Sequence, residues 1–303
     1  MPDKTTKPQD GQTQGARAPE HAQDSHESGH EHGHQHGHHD HDHTHDHHHG
    51  HSHGHHESEP ERVLTIRMHS GLSGDMFLAG LLTLTATPME EVEAILGGLL
   101  PELSGCLELQ RVEVHAIGGM HARVTLPHQH SHRTLADVES IIRQSTLQEA
   151  AKEYAIAAFT MLARAEGTVH GKDPSEVHFH EVGALDSILD TCLSCELFVR
   201  LGVSRLVASP LPLGDGQVAC AHGILPVPAP AVLELLENIP VRPFSGEGET
   251  VTPTAISLLR AFGAEFGPWP RMILQKKVLV YGTRVFDDAP NGALFALGSA
   301  LNC

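Results

Sequence analysis

The sequence predicts an α/β fold, mixed in helix and strand, with a single large folded domain behind a histidine-rich tail. Three observations lead there. Residues 1–62 hold eighteen of the chain's 28 histidines and show no apolar periodicity. From Val63 onward the chain turns rich in Leu, Ala, Val and Ile, and this stretch of about 240 residues can bury a sizeable core. Within it, runs that alternate polar and apolar residues are interspersed with runs at helical spacing. The expected boundaries are 1–62 for the tail and 63–303 for the domain.

In chain order, Val63 to Met68 alternates like a strand. "HSGLSGDMFLAGLLTL" (69–84) then opens a helix. Its entry is a turn of small residues, Ser70, Gly71, Ser73 and Gly74, with Asp75 where a carboxylate favours a helix N-terminus. Such a turn can also cradle a phosphate on its backbone N–H groups, although it is not a GxxxxGK[ST] loop. Residues 89–100 read as a second helix. Leu107 to Leu126 alternates in two runs about Gly118-Gly119, which predicts a hairpin turning at those glycines.

A helix is expected from near Thr134, a long one over 147–167, and another from Gly183, where Leu185, Ile188, Leu189, Cys192, Leu193 and Leu197 recur at helical spacing. Cys192 and Cys195, one turn apart on that apolar face, read as core. The prolines between 210 and 230 set a rigid extended path, and Gly214, Gly216 and Gly223 allow tight approaches. "GEGETVTPTAISLLRAF" is a Gly-rich loop followed by a helix capped by Thr252 or Thr254, with Pro253 in its first turn.

Charge and composition exclude some classes of function. The net charge of -18 is shared by both parts: the first 62 residues hold four basic and twelve acidic residues, or -8, leaving -10 for the rest. With no basic stripe and only 4% aromatic residues, nucleic acid is not an expected partner. Five cysteines without regular spacing do not make a disulfide framework. MPDKTTKPQD has no apolar leader core, and no apolar run approaches membrane-spanning length. A reduced, cytoplasmic setting is the expectation.

The tract "HGHQHGHHDHDHTHDHHHGHSHGHH" (His32 to His56) is of low complexity, and its Gly, Asp and Ser content cannot offset the entropy of folding. It is expected to be disordered without a ligand. Imidazoles such as His32, His34, His36, His38 and His39 suit nickel, zinc, copper and cobalt alike. Interleaved acids offset the charge that bound ions would bring. The tail marks a protein that meets transition metals; it does not select one.

Candidate chemistry in the folded part centres on "SEVHFHEVGALDSILD" (175–190). His178 and His180 are two apart, so in an extended segment they share one face while Val177 and Phe179 share the other. Asp186 and Asp190 are four apart and share a polar helix face. With Glu181 these residues could hold a divalent metal or act as acid and base. A capped helix start with a solvated acidic edge would look the same. His128, His130 and His132 alternate in a loop, where metal contact and a plain surface role both fit. Cys220 and His222 are a plausible soft-metal pair, or a buried cysteine beside a surface histidine. Arg284, in "YGTRVFDD", could grip a phosphate or carboxylate in its guanidinium fork.

The runs "SGLSGDMFLAGLL", "RTLADVESII", "VHFHEVGALDSILD", "SPLPLGDGQVACAHGILPVPAPAVLELL", "VTPTA" and "GTR…PN" together resemble the nickel-insertion proteins of the lactate racemase cofactor pathway, in order and spacing, over nearly all of residues 63–298. The resemblance implies insertion of nickel into pyridinium-3,5-bisthiocarboxylic acid mononucleotide, with one nickel–carbon and two nickel–sulfur bonds formed in a CTP-dependent cyclometallation of the lyase class. It implies a lactate racemase-type apoenzyme downstream, and leaves a homo-oligomer open. A histidine-rich segment is common in the family. His178, His180, Glu181, Asp186, Asp190, Cys220 and His222 are then the candidates for metal transfer and base chemistry, and Arg284 with the Ser70–Asp75 turn for the phosphate.

Two departures from the family pattern stand out. Its first strand ends in an acidic residue and a cysteine where this chain has Arg67 and Met68. Family members also continue past "PN" into a domain for CTP and its Mg or Mn, which implies a separate C-terminal chain here. A non-catalytic nickel or zinc storage protein or metallochaperone is the competing expectation, and a metal-dependent hydrolase using the His–His–Glu and Asp groups a third.

Overall fold

The structure is a computed structural model that describes residues 61–126, 133–179, 184–220, 223–287 and 289–301, with Cys220 described by its backbone alone. The tail histidines His32, His34, His36, His38 and His39 lie outside these residues, as do His128, His130, His132, His180, Glu181 and His222.

The chain enters through β1 (Arg62–Met68), α1 (Gly74–Thr85) and α2 (Met89–Leu99), then forms the hairpin β2 (Leu107–Val114) and β3 (Ile117–Val124). A short strand β4 (Arg133–Thr134) leads to α3 (Leu135–Gln144) and α4 (Glu149–His170). β5 (His178–Phe179) and α5 (Leu185–Leu201) follow. The strands β6 (Arg205–Ala208), β7 (Leu211–Asp215), β8 (Gln217–Cys220) and β9 (Gly223–Pro226) precede α6 (Pro230–Leu235). The last elements are β10 (Val241–Glu247), α7 (Pro253–Ala261), β11 (Glu265–Phe266), β12 (Met272–Val280) and β13 (Ala293–Ala300). The predicted mixed α/β class is what the elements form.

Seven strands make one mixed sheet in the order β11-β6-β1-β13-β12-β3-β2. β1 is an interior strand, antiparallel to β13 and parallel to β6, and its residues from Val63 to Ile66 are buried. α1 is apolar nearly all round, with Met76, Phe77, Leu78, Leu81, Leu82 and Leu84 buried. A helix without a polar face must be covered on every side, and α1 is: it lies against β3, β12 and β13 and against α5 and α7.

The few aromatic rings are concentrated at this junction. Phe77 meets Phe295 and Phe262 edge-on at 5.8 and 6.0 Å, and Phe262 stacks on Phe198 at 3.9 Å. Tyr154 closes the cluster against Phe198 and Phe262. A buried carboxylate ties the outer helices: Glu196 accepts from the Gln148 backbone and side-chain amides and from Arg200, which also reaches Glu91 at 2.6 Å. Cys192 and Cys195 are buried in the core, as their spacing predicted.

The hairpin is a correction. Its turn falls at His115 and Ala116, which both adopt positive φ, and not at Gly118-Gly119, which sit inside β3. Gly119 serves instead as a gap: a Cβ there would lie 2.6 Å from the Tyr281 ring and 2.7 Å from the Leu279 carbonyl. The glycine pair marks where β3 passes against β12. Among the described residues no helix is long and apolar enough to cross a membrane.

Because Phe262 contacts three other rings at the junction of α4, α5 and α7, Phe262→Ala is expected to cost about 3–5 kcal/mol. Urea denaturation is the measurement, and a loss under about 1 kcal/mol would mean that the cluster is not a fold determinant.

Candidate functional site

Two adjoining hollows, of about 480 and 770 Å³, open beside the N-terminus of α1. They share Ser73, Asp75, Asp186, Asp190, Val218, Glu249 and Thr252 as lining, so they are parts of one groove. The smaller part reaches the end of α4 and the β8–β9 hairpin. The larger one is bounded by β3 and by Gly282, Thr283, Arg284 and Phe286.

The Ser70–Asp75 turn is shaped by its neighbours. Gly71 has φ of +145, and a Cβ there would meet the Thr250 carbonyl oxygen at 1.7 Å, so only glycine fits. The Leu72 N–H donates to that carbonyl at 2.9 Å, and the Leu72 carbonyl accepts from the Thr252 N–H at 3.1 Å. This pairing fixes the 249–252 loop against the start of α1. Thr252 caps α7, accepting from the Ala255 N–H, with Pro253 as the first helical residue. Ser70 Oγ accepts from the Gly292 N–H at 2.9 Å.

Gly74 permits the approach that defines the site. A Cβ on it would lie 2.2 Å from Asp190 Oδ2. The Asp190 carboxylate of α5 is therefore pressed against the first turn of α1, where unpaired N–H groups carry partial positive charge. Its other oxygen, Oδ1, is sealed from solvent without a hydrogen-bond partner among the described residues. Burial first, and then the charges of Asp75 and Asp186, push the Asp190 carboxyl well above the usual carboxylate range.

Burial also raises Asp75. It outweighs the opposing hydrogen bonds that Asp75 accepts from the Ser73 hydroxyl and the Met76 N–H, and the nearby His121 imidazole. His121 Nδ1 is 3.8 Å from Asp75 Oδ2 and 2.9 Å from the Tyr281 carbonyl oxygen. Arg284 lies over the backbone of Gly248 and 5.1 Å from the centre of the Phe286 ring. Arg123 lines the same hollow. The larger hollow thus holds both arginines, while the carboxyl groups of Asp75, Asp186, Asp190 and Glu249 line both hollows.

Of the sequence-predicted residues, the structure brings Ser70, Gly71, Ser73, Gly74, Asp75, Asp186, Asp190 and Arg284 together around this groove. His178 is elsewhere. It is exposed on β5, which pairs with β4, and its imidazole influences Asp137 at the start of α3. Val177 and Phe179 are buried and His178 exposed, as the alternation predicted. Arg67 and Met68 do not line the groove: Arg67 donates to the Gly267 carbonyl at 2.8 Å, and Met68 is in the core. His121, Arg123 and Glu249 were missed. The available signal for the first two was their i, i+2 spacing on a strand. Among the described residues, no group of three His, Cys, Asp or Glu side chains is arranged to hold a metal ion.

Two outcomes follow from the Gly74–Asp190 contact. Gly74→Ala would ordinarily help a helix, but the clash with Asp190 dominates, and a loss of about 1–3 kcal/mol is expected. The loss should shrink once Asp190→Ala makes room; an equal loss in both backgrounds would mean that the contact is not the cause. Asp190 also has a pH signature. Its folded carboxyl holds a proton that the unfolded one, near 3.8, releases, so its contribution to stability is lost as pH rises from that value through the raised one. Asp190→Asn should therefore stabilise the protein at pH 7, with a gain that vanishes toward pH 4, measured by urea denaturation at each pH.

The sequence pattern of the family described as "Nickel insertion protein" matches residues 64–300. A relative from Myxococcus xanthus named for nickel insertion is 42% identical over 240 residues, covering 78% of this chain and 60% of its own length. One from Geobacter metallireducens, also named for nickel insertion, is 41% identical, with 79% and 61% covered. A Desulfitobacterium hafniense protein named pyridinium-3,5-bisthiocarboxylic acid mononucleotide nickel insertion protein is 41% identical over 219 residues, with 72% and 53% covered. No solved structure matches. This chain spans between about half and three-fifths of the length of these relatives. On a match that takes in all but the first two residues of the central sheet and every groove residue, the chain belongs to the nickel insertion protein family.

Proposed function

We propose that this chain acts in the insertion of nickel into pyridinium-3,5-bisthiocarboxylic acid mononucleotide, and that the groove beside α1 is where the mononucleotide is held. The observation that carries this reading is that one groove presents two arginines together with a set of carboxyl groups. The substrate has a phosphate at one end and, at the other, a pyridinium ring flanked by two thiocarboxylates that take the metal ion. Arg123 and Arg284 suit the phosphate, with Arg284 offering a planar fork, and the Ser70–Asp75 turn borders the same hollow. Asp186 suits the incoming cation.

Nickel is cargo in this reaction. Square-planar Ni(II) favours the sulfur and carbon donors of the product over labile imidazole and carboxylate. His180, Glu181, Cys220, His222, His128, His130, His132 and the tail histidines are proposed as the hand-over ligands. CTP with Mg or Mn is assigned to the further length that relatives possess. A lactate racemase-type apoenzyme would receive the product. The free cysteines Cys106, Cys192 and Cys195 accord with a reducing, cytoplasmic setting.

The test is to mix the chain, with a relative's C-terminal part, with Ni(II), CTP, Mg(II) and the thiolated mononucleotide, and to follow formation of the nickel–carbon bond by mass and absorbance. Arg284→Ala is expected to weaken mononucleotide binding by about 10- to 100-fold, consistent with losing a charge-assisted fork. Nickel taken up without product would favour the storage reading that the histidine tract alone also supports.

A further inference from the structure

One side chain in the groove has its protonation geometry set by the backbone. His121 Nδ1 lies 2.9 Å from the Tyr281 carbonyl oxygen. A carbonyl only accepts, so Nδ1 donates, and in the neutral ring Nε2 is left as the bare acceptor. The Tyr281 N–H in turn donates to the Met120 carbonyl at 2.9 Å, which anchors that carbonyl to the sheet. Among the described residues Nε2 makes no hydrogen bond. The side chain is 17% exposed and lines the larger hollow. Asp75 Oδ2, 3.8 Å from Nδ1, stands where it would stabilise an imidazolium. This is the arrangement of an oriented base: one nitrogen fixed by a backbone acceptor, the other uncommitted on a ring that lines a cavity.

We propose that His121 is the general base of the insertion, its Nε2 taking the proton lost by the ring carbon between the two thiocarboxylates. The assignment rests on the reading of the groove given above. The step balances without a redox partner. The C–H bond breaks, its electron pair becomes the nickel–carbon bond, nickel stays Ni(II), and the proton goes to Nε2 and then to solvent. The other charged groups around the same hollow are Asp75, Arg123, Asp186, Asp190, Glu249 and Arg284. Of the groove's side chains, His121 is the one whose acceptor atom is both defined by a backbone contact and uncommitted among the described residues.

The experiment compares the full chain with His121→Asn and His121→Ala in single-turnover insertion, supplied with a relative's C-terminal part, Ni(II), CTP and Mg(II). Asn keeps a donor for the Tyr281 carbonyl, so the local fold is retained while the base is lost. The mononucleotide is used with hydrogen or deuterium on the reacting ring carbon, and its binding without nickel is measured by calorimetry. The expected result is nickel–carbon bond formation slowed by about 10²- to 10⁴-fold in both variants, with binding held within about threefold. The deuterium effect should grow, and added imidazole should restore rate to His121→Ala alone. Variants at the wild-type rate would overturn the assignment, as would a loss of binding that accounts for the whole loss of rate. A wild-type chain that binds the mononucleotide and nickel yet forms no nickel–carbon bond would remove the functional reading, and this role with it.

Discussion

The close approach of Asp190 to Gly74 is the constraint on which the groove depends. It brings a carboxylate from α5 to the N-terminus of α1, within the electrostatic reach of Asp75 and Asp186. Neither helix could be repositioned without changing it, because α1 is buried on every side and α5 contributes Leu185, Ile188, Leu189 and Leu193 to the same core. The packing energy of the apolar residues thus holds the Asp190 carboxyl out of solvent and without a partner for Oδ1 among the described residues. That is strain stored at a site and offset elsewhere, in the sheet and the aromatic cluster.

Much of this was legible in local sequence. Alternation in Val63–Met68, the apolar run after Asp75, the i, i+4 pair Asp186 and Asp190, and the Thr252-Pro253 cap each correspond to an observed element. What was not legible is non-local. Gly118-Gly119 reads as a turn because glycine commonly makes one; only contact with Tyr281, more than 150 residues away, gives its actual reason. Placing the turn there hid β3, and with it His121 and Arg123. Glu249 enters the groove because residues 250–252 pair with Leu72, which no local pattern shows. His178 misled in the opposite way. Its alternation is real, but the exposed face it belongs to pairs with β4 and does not line the groove.

The mixed charge of the groove ties fold to chemistry. β3 and the 282–286 segment bring the arginines, and α1, α5 and the 249–252 loop bring the acids, so the two signs come from different elements of the fold. A ligand with separated charges can then be oriented before any bond is made, which is the part of catalysis that a rigid scaffold performs best.

The chain's lone tryptophan bears on how such binding could be observed. Trp269 follows β11 at the sheet edge, half exposed, with the Arg67 guanidinium 5.6 Å from its ring. The hollow it lines, beside Arg205 and Glu265, shares no residue with the groove. Intrinsic indole fluorescence is therefore a reporter of edge-strand opening and is blind to occupancy of the groove. Optical titrations of this protein must take their signal from the ligand.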